Sequence, residues 1–138
     1  MTNDGRREFS AEIDAPPDKV WRAITDPAKT RQYYYGTDIL SNWQPGSRWT
    51  SEEDGHLYLE GKIVEIEPER KLVQTFRVVD EEPASGDPPS QVSWQLTPTT
   101  SGTRVDLVHS GQGDATLAYT EGGWEYILAG LKSVAESD

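Results

Sequence analysis

The chain of 138 residues carries 24 acidic and 13 basic side chains, a formal charge of −11, and no cysteine. That length accommodates one domain with a sizeable core. The charge opposes non-specific binding to nucleic acid or to anionic membranes, and the lack of thiols excludes disulfides, thiolate catalysis and thiolate metal sites. No apolar run reaches membrane-spanning length, and the opening MTNDGRREFS lacks an apolar centre, so a soluble cytoplasmic protein is expected.

Residues 8–14 alternate, with Phe9, Ala11 and Ile13 on one side and charged or polar residues on the other, as in a half-buried strand. Ala15-Pro16-Pro17 ends it, because proline cannot donate to a ladder, while Pro17 suits the first turn of a helix. Val20, Trp21 and Ile24 supply the apolar face of a short helix over residues 18–25. Asp26-Pro27 reads as an N-cap followed by proline at the first position of a second short helix, residues 27–32. Tyr33-Tyr34-Tyr35-Gly36 closes that helix and opens a strand toward Leu40. A turn region punctuated by Pro45-Gly46 follows.

Residues 48–53 and 56–67 then read as strands joined by the two-residue turn Asp54-Gly55, with Leu57, Leu59, Gly61 and Ile63 sharing one face. Residues 72–79 form the next strand. Residues 81–90, polar and proline-rich, read as a mobile hairpin loop. Val92, Trp94 and Leu96, and after a further turn Val105, Leu107 and His109, alternate with polar partners in the last two strands. Residues 116–134 finally set Leu117, Trp124, Ile127, Leu128, Leu131 and Val134 on one stripe of a single long helix. Short connections favour an antiparallel sheet with the helices on one face, an α+β domain over residues 1–138.

The run Ala15-Pro16-Pro17-Asp18-Lys19-Val20-Trp21, closed by Thr25-Asp26-Pro27, resembles the opening of the START-like (SRPBCC) superfamily. Pro45-Gly46-Ser47-Arg48-Trp49, Glu65-Ile66-Glu67-Pro68 with Leu72-Val73, His109-Ser110-Gly111 and Gly122-Gly123-Trp124 strengthen the likeness. Together they look most like the branch named after the C-terminal domain of the activator of the heat-shock protein 90 ATPase, over about residues 8–135. The resemblance implies a helix-grip fold, in which a curved antiparallel sheet of six to seven strands wraps around the C-terminal helix. It also implies a pocket between them that relatives use for lipids, polyketides, hormones or other apolar molecules. Some relatives are cyclases or aromatases and others carriers or sensors.

Strand alternation puts His109 on the face of Val105 and Leu107, where it either serves as an acid–base group or merely closes the end of the core. Trp49, Tyr58, Phe76, Trp94 and Trp124 border the expected space, and each can be pocket wall, core or both. Gln74 shares a face with Leu72 and Phe76, so its amide can point inward and take a ligand as partner. Tyr34 and Tyr35 stand at the expected entrance, and Ile127, Leu128 and Leu131 offer the helix side of the site.

Gly111-x-Gly113 lacks the third glycine of a dinucleotide fingerprint, and Glu52-Glu53-Asp54 lacks calcium-loop spacing, so neither cofactor nor metal is expected. The leading expectation is a protein that holds an apolar or aromatic small molecule. A cyclase, dehydratase or hydrolase using His109 is the second, and a chaperone-accessory or protein-interaction module the third. A homodimer stays open.

Overall fold

The computed structural model describes residues 5–137. Strand β1 (Arg7–Ile13) leads into helices α1 (Pro17–Thr25) and α2 (Pro27–Tyr33). Strands β2 (Asp38–Ser41), β3 (Arg48–Glu53), β4 (His56–Glu67), β5 (Lys71–Val78), β6 (Ser90–Pro98) and β7 (Thr103–Ser110) follow, and helices α3 (Asp114–Thr120) and α4 (Gly123–Ser137) complete the chain. All seven strands form one antiparallel sheet in the order β1-β7-β6-β5-β4-β3-β2. The first strand thus closes against the last, and the architecture is the helix grip implied by the resemblance.

Local chemistry explains the elements. Asp26 accepts a hydrogen bond from the Ala28 amide at 2.9 Å and caps α2, with Pro27 in its first turn. Asp54 and Gly55 take φ of 51° and 82°, the left-handed pair that a two-residue hairpin requires between β3 and β4. The alternation in β6 and β7 is obeyed fully: Val92, Trp94, Leu96, Val105, Leu107 and His109 are all buried. They face α4, which contributes Trp124, Ile127, Leu128, Leu131, Val134 and Ala135 to the same core.

Two expectations need correction. The stripe over residues 116–134 is not one helix, because α3 ends at Thr120 and α4 begins at Gly123. Gly122 has φ of 77°, a left-handed conformation open to glycine that interrupts the helix between α3 and α4. Leu117 accordingly leaves the stripe and is half-buried, while the residues from Trp124 onward keep it. The segment expected to be a mobile loop carries a 3-10 turn, Ala84–Gly86, with Ala84 buried. From that loop the Asp87 carboxylate accepts from the amide and the hydroxyl of Thr116, each at 2.8 Å, tying the loop to the first turn of α3.

The curvature has a readable cause. The β3–β4 register slips at Ser51/Glu52, where Ser51 pairs with Leu59 but Glu52 pairs with Leu57, leaving Tyr58 as an extra residue. A second slip lies between Ile63 and Glu65 on the β5 side of β4. Such bulges bend a strand and increase its twist. At Gly61 the sheet admits the Trp49 indole, whose Nε1 donates to the Thr75 carbonyl at 2.7 Å. A Cβ on Gly61 would overlap both that carbonyl and the indole nitrogen. Gly61→Ala is expected to cost about 2–3 kcal/mol through overpacking at a site with backbone on one side, read as a lower urea midpoint with an unchanged slope.

Candidate functional site

A cavity of about 380 Å³ lies between the sheet and the C-terminal helices. That volume is at the small end of small-molecule sites. Its inner wall is apolar: Leu59, Phe76, Trp124 and Ile127 line it, and all four are buried. Tyr34 joins them from the end of α2, its ring meeting Trp124 edge to face at 6.3 Å. Polar groups complete the lining: Thr37 and Ser51 are buried, whereas Thr120, Gly123 and the rings of Tyr58 and Tyr119 are half-buried and Glu53 is exposed. Tyr35, 56% exposed, stands at the rim and stacks on Tyr126 with ring centroids 4.8 Å apart.

The bulge in β4 makes this wall. In regular alternation Tyr58 and Leu59 would point to opposite faces, yet both line the cavity because Tyr58 is the extra residue. The helix break contributes as well, since it turns Tyr119 and Thr120 of α3 over the opening while Trp124 and Ile127 of α4 remain on the floor.

Of the residues proposed from sequence, Tyr34, Tyr35, Tyr58, Phe76, Trp124 and Ile127 meet around this cavity. Trp49, Gln74 and Trp94 border a separate void of about 10 Å³, with room for about one water. The inward amide of Gln74 is already engaged, accepting from the Trp94 indole at 3.1 Å. Leu128 and Leu131 pack in the core and line neither space.

His109 is fully buried and does not line the cavity; Phe76 and Trp124, with ring centroids 4.8 and 5.7 Å from its own, stand around it. Its Nδ1 accepts from the Trp124 indole at 3.0 Å, so Nε2 bears the proton and donates to Ser90 Oγ at 2.7 Å. Ser90 in turn donates to the Phe76 carbonyl at 3.2 Å. Every polar atom of this chain is satisfied by a neutral imidazole. Burial lowers the His109 pKa from 6.5 to about 4.

Thr37, Ser51, Glu53, Leu59, Tyr119, Thr120 and Gly123 were missed by sequence reasoning. Ser51 and Glu53 carried a usable signal, since they alternate on a strand beside Asp54-Gly55. Thr120 falls on the stripe of an unbroken helix, three residues after Leu117 and four before Trp124, whereas Tyr119 carried no signal because such a helix turns it off that stripe. Burial raises the Tyr119 hydroxyl to about 12, and Tyr34 is likewise pushed up by burial, so both rings are neutral. Among the described residues no three side chains of His, Cys, Asp or Glu gather as a metal site, and no helix is long and apolar enough to cross a membrane.

The family model for activator of Hsp90 ATPase homolog 1-like proteins matches residues 14–136. The chain belongs to this family. Among solved structures it is similar to protein MLL2253 from Mesorhizobium loti, at 26% identity and TM-score 0.79, over 96% of this chain and 97% of that one. It is also similar to CalU16 from Micromonospora echinospora, at 26% identity and TM-score 0.70, over 94% and 73% of the two chains. The Aha1 dimer from Colwellia psychrerythraea, at 21% identity and TM-score 0.75 over 95% and 96%, shares the fold. No curated protein matches the chain.

The neutral His109 has a measurable consequence. The unfolded chain takes up a proton at His109 below its ordinary value of 6.5, whereas the folded chain does so only near 4, so this group's stabilisation is complete above 6.5 and is lost as the pH falls through that window. Wild type is expected to lose on the order of 3 kcal/mol more than His109→Asn across that range. Asparagine keeps an acceptor for the Trp124 indole but cannot ionise, and urea titrations of both proteins at several pH values read the difference.

Proposed function

We propose that this protein binds an apolar or aromatic small molecule in the cavity between the C-terminal helices and the sheet. The observation that carries the reading is the lining itself. Buried apolar groups line most of a space large enough for a ligand, the hydroxyls of Tyr34, Thr37 and Ser51 are set among them, and the single carboxylate of the lining, Glu53, is exposed. That division suits a molecule with a greasy body and a polar end. Membership of the family supports it, as does the likeness to CalU16, a protein of the same fold.

The position of His109 weighs against acid–base catalysis. The imidazole is separated from the cavity by rings, it is neutral, and both its nitrogens are committed to Trp124 and Ser90. A general base must come within hydrogen-bond reach of the proton it takes, directly or through one water. A binding protein needs no such group.

Gly123 offers a clean test. It lines the cavity, and a Cβ there would lie in ordinary contact, 3.4 Å from the Tyr35 hydroxyl. Gly123→Leu fills the space from the first turn of α4 while improving local helix propensity by up to about 1 kcal/mol. Titration with the neutral dye N-phenyl-1-naphthylamine should show saturable enhancement with wild type and at least about tenfold weaker binding with the variant. Equal binding by the two proteins would place the dye elsewhere and remove the cavity from the proposal.

A further inference from the structure

The open end of the cavity has a sign. Among the described residues Glu53 is its only ionic lining group, and no Lys, Arg or His lines it. Glu53 makes no ion pair among the described residues, unlike Glu60 on the neighbouring strand, which is held by Arg48 and Arg77 at 2.7 and 2.8 Å. The surroundings add to the imbalance. Burial is the main cause that raises the pKa of Tyr119, Tyr58 and Tyr35, and carboxylates add to it: Asp80 and Glu81 at Tyr119, Glu53, Asp80 and Asp54 at Tyr58, and Glu125 at Tyr35. His56, the cross-strand partner of Glu53, sits on Asp80 at 3.2 Å, and Arg77 binds Glu60 and the Ser85 carbonyl.

The rings of Tyr35, Tyr58, Tyr119 and Trp124 line the same cavity as this carboxylate, and the Tyr58 hydroxyl donates to it. Neutral aromatic rings attract an organic cation through their quadrupoles, and a carboxylate completes such a cage. An anionic ligand would instead meet repulsion with no donor cation to offset it.

Resting on the binding reading above, we propose that the ligand class of this cavity is an organic cation, an apolar or aromatic body bearing a quaternary or protonated amine that seats beside Glu53 among Tyr35, Tyr58 and Tyr119. The apolar body occupies the inner space against Phe76, Trp124 and Ile127. Glu53 and the tyrosines set the charge preference, and the inner wall sets size.

Three probes of nearly one shape and different charge separate the possibilities: benzyltrimethylammonium, neutral neopentylbenzene and phenylmethanesulfonate. Binding is read from the indole N–H resonance of Trp124 in the full-length protein. The cation is expected to bind about tenfold tighter than the neutral probe, and the sulfonate not to shift the resonance. Glu53→Gln, at an exposed position, should weaken the cation about fivefold or more and leave the neutral probe within about twofold. If neopentylbenzene or the sulfonate binds as tightly as the cation, or if Glu53→Gln affects all probes alike, the charge preference is overturned while the cavity remains a binding site. If none of the three moves the Trp124 resonance, the binding reading fails and takes this inference with it.

Discussion

The indole of Trp124 joins the three parts of the molecule. Its N–H is committed inward to His109 on β7, its ring edges meet Phe76, Trp94 and Tyr34, and the remaining surface forms the floor of the cavity. A buried indole N–H without an acceptor would cost on the order of 1–3 kcal/mol. Histidine meets that demand because one nitrogen can accept while the other donates onward, here to Ser90 and then to a backbone carbonyl. The chain of bonds runs from helix α4 across β7 and β6 to β5, so the sheet's position under the helix is fixed by directional contacts as well as by apolar burial. His109, one of whose two readings from the sequence was closure of the core, braces helix against sheet in this fold.

The cavity survives because packing is completed on either side of it. Near the centre, Trp49, Trp94 and Gln74 close around one another, with both indole nitrogens bonded to protein acceptors. At the far end, α1 and α2 cover the helix, and the Tyr33 hydroxyl reaches the Ala23 carbonyl at 2.7 Å. Between these regions the bulged strand β4 curves around a space that α3 roofs only in part. Empty apolar volume costs stability, on the order of 24 cal/mol per Å³ in buried cavities, and an opening to solvent with a polar rim relieves part of that cost. Retaining such a space beside an otherwise tightly packed core is the physical argument for a ligand.

Charge makes the site asymmetric. The acidic excess of the whole chain is a solubility property, and most surface carboxylates carry little information. Glu53 differs because it lines an aromatic-walled cavity that no Lys, Arg or His lines. The same arrangement keeps the neighbouring tyrosines neutral, since burial and nearby carboxylates both oppose their ionisation. Rings and carboxylate thus complement the same kind of ligand.

Periodicity and turn chemistry determined the strands, the two capped helices after β1 and the apolar stripe of α4, because each is set by residues within a few positions of one another. The Asp54-Gly55 hairpin and the burial of Val105, Leu107 and His109 were legible for that reason. Half of the site residues expected from the sequence line the cavity, since an aromatic on an inward face must be either core or wall. Which of the two it becomes is not a local property. Trp94 and Gln74 satisfy each other across β5 and β6, His109 is shielded by rings from two other elements, and Tyr58 reaches the cavity through a register slip that alternation alone excludes. The break at Gly122 decided what roofs the site, because a left-handed glycine is consistent with either a helix end or a loop until the partners on both sides are in place. The sequence alone therefore specified the elements and their apolar faces. The three-dimensional packing decided where those faces fail to meet, because a gap depends on the difference between surfaces brought together from distant parts of the chain.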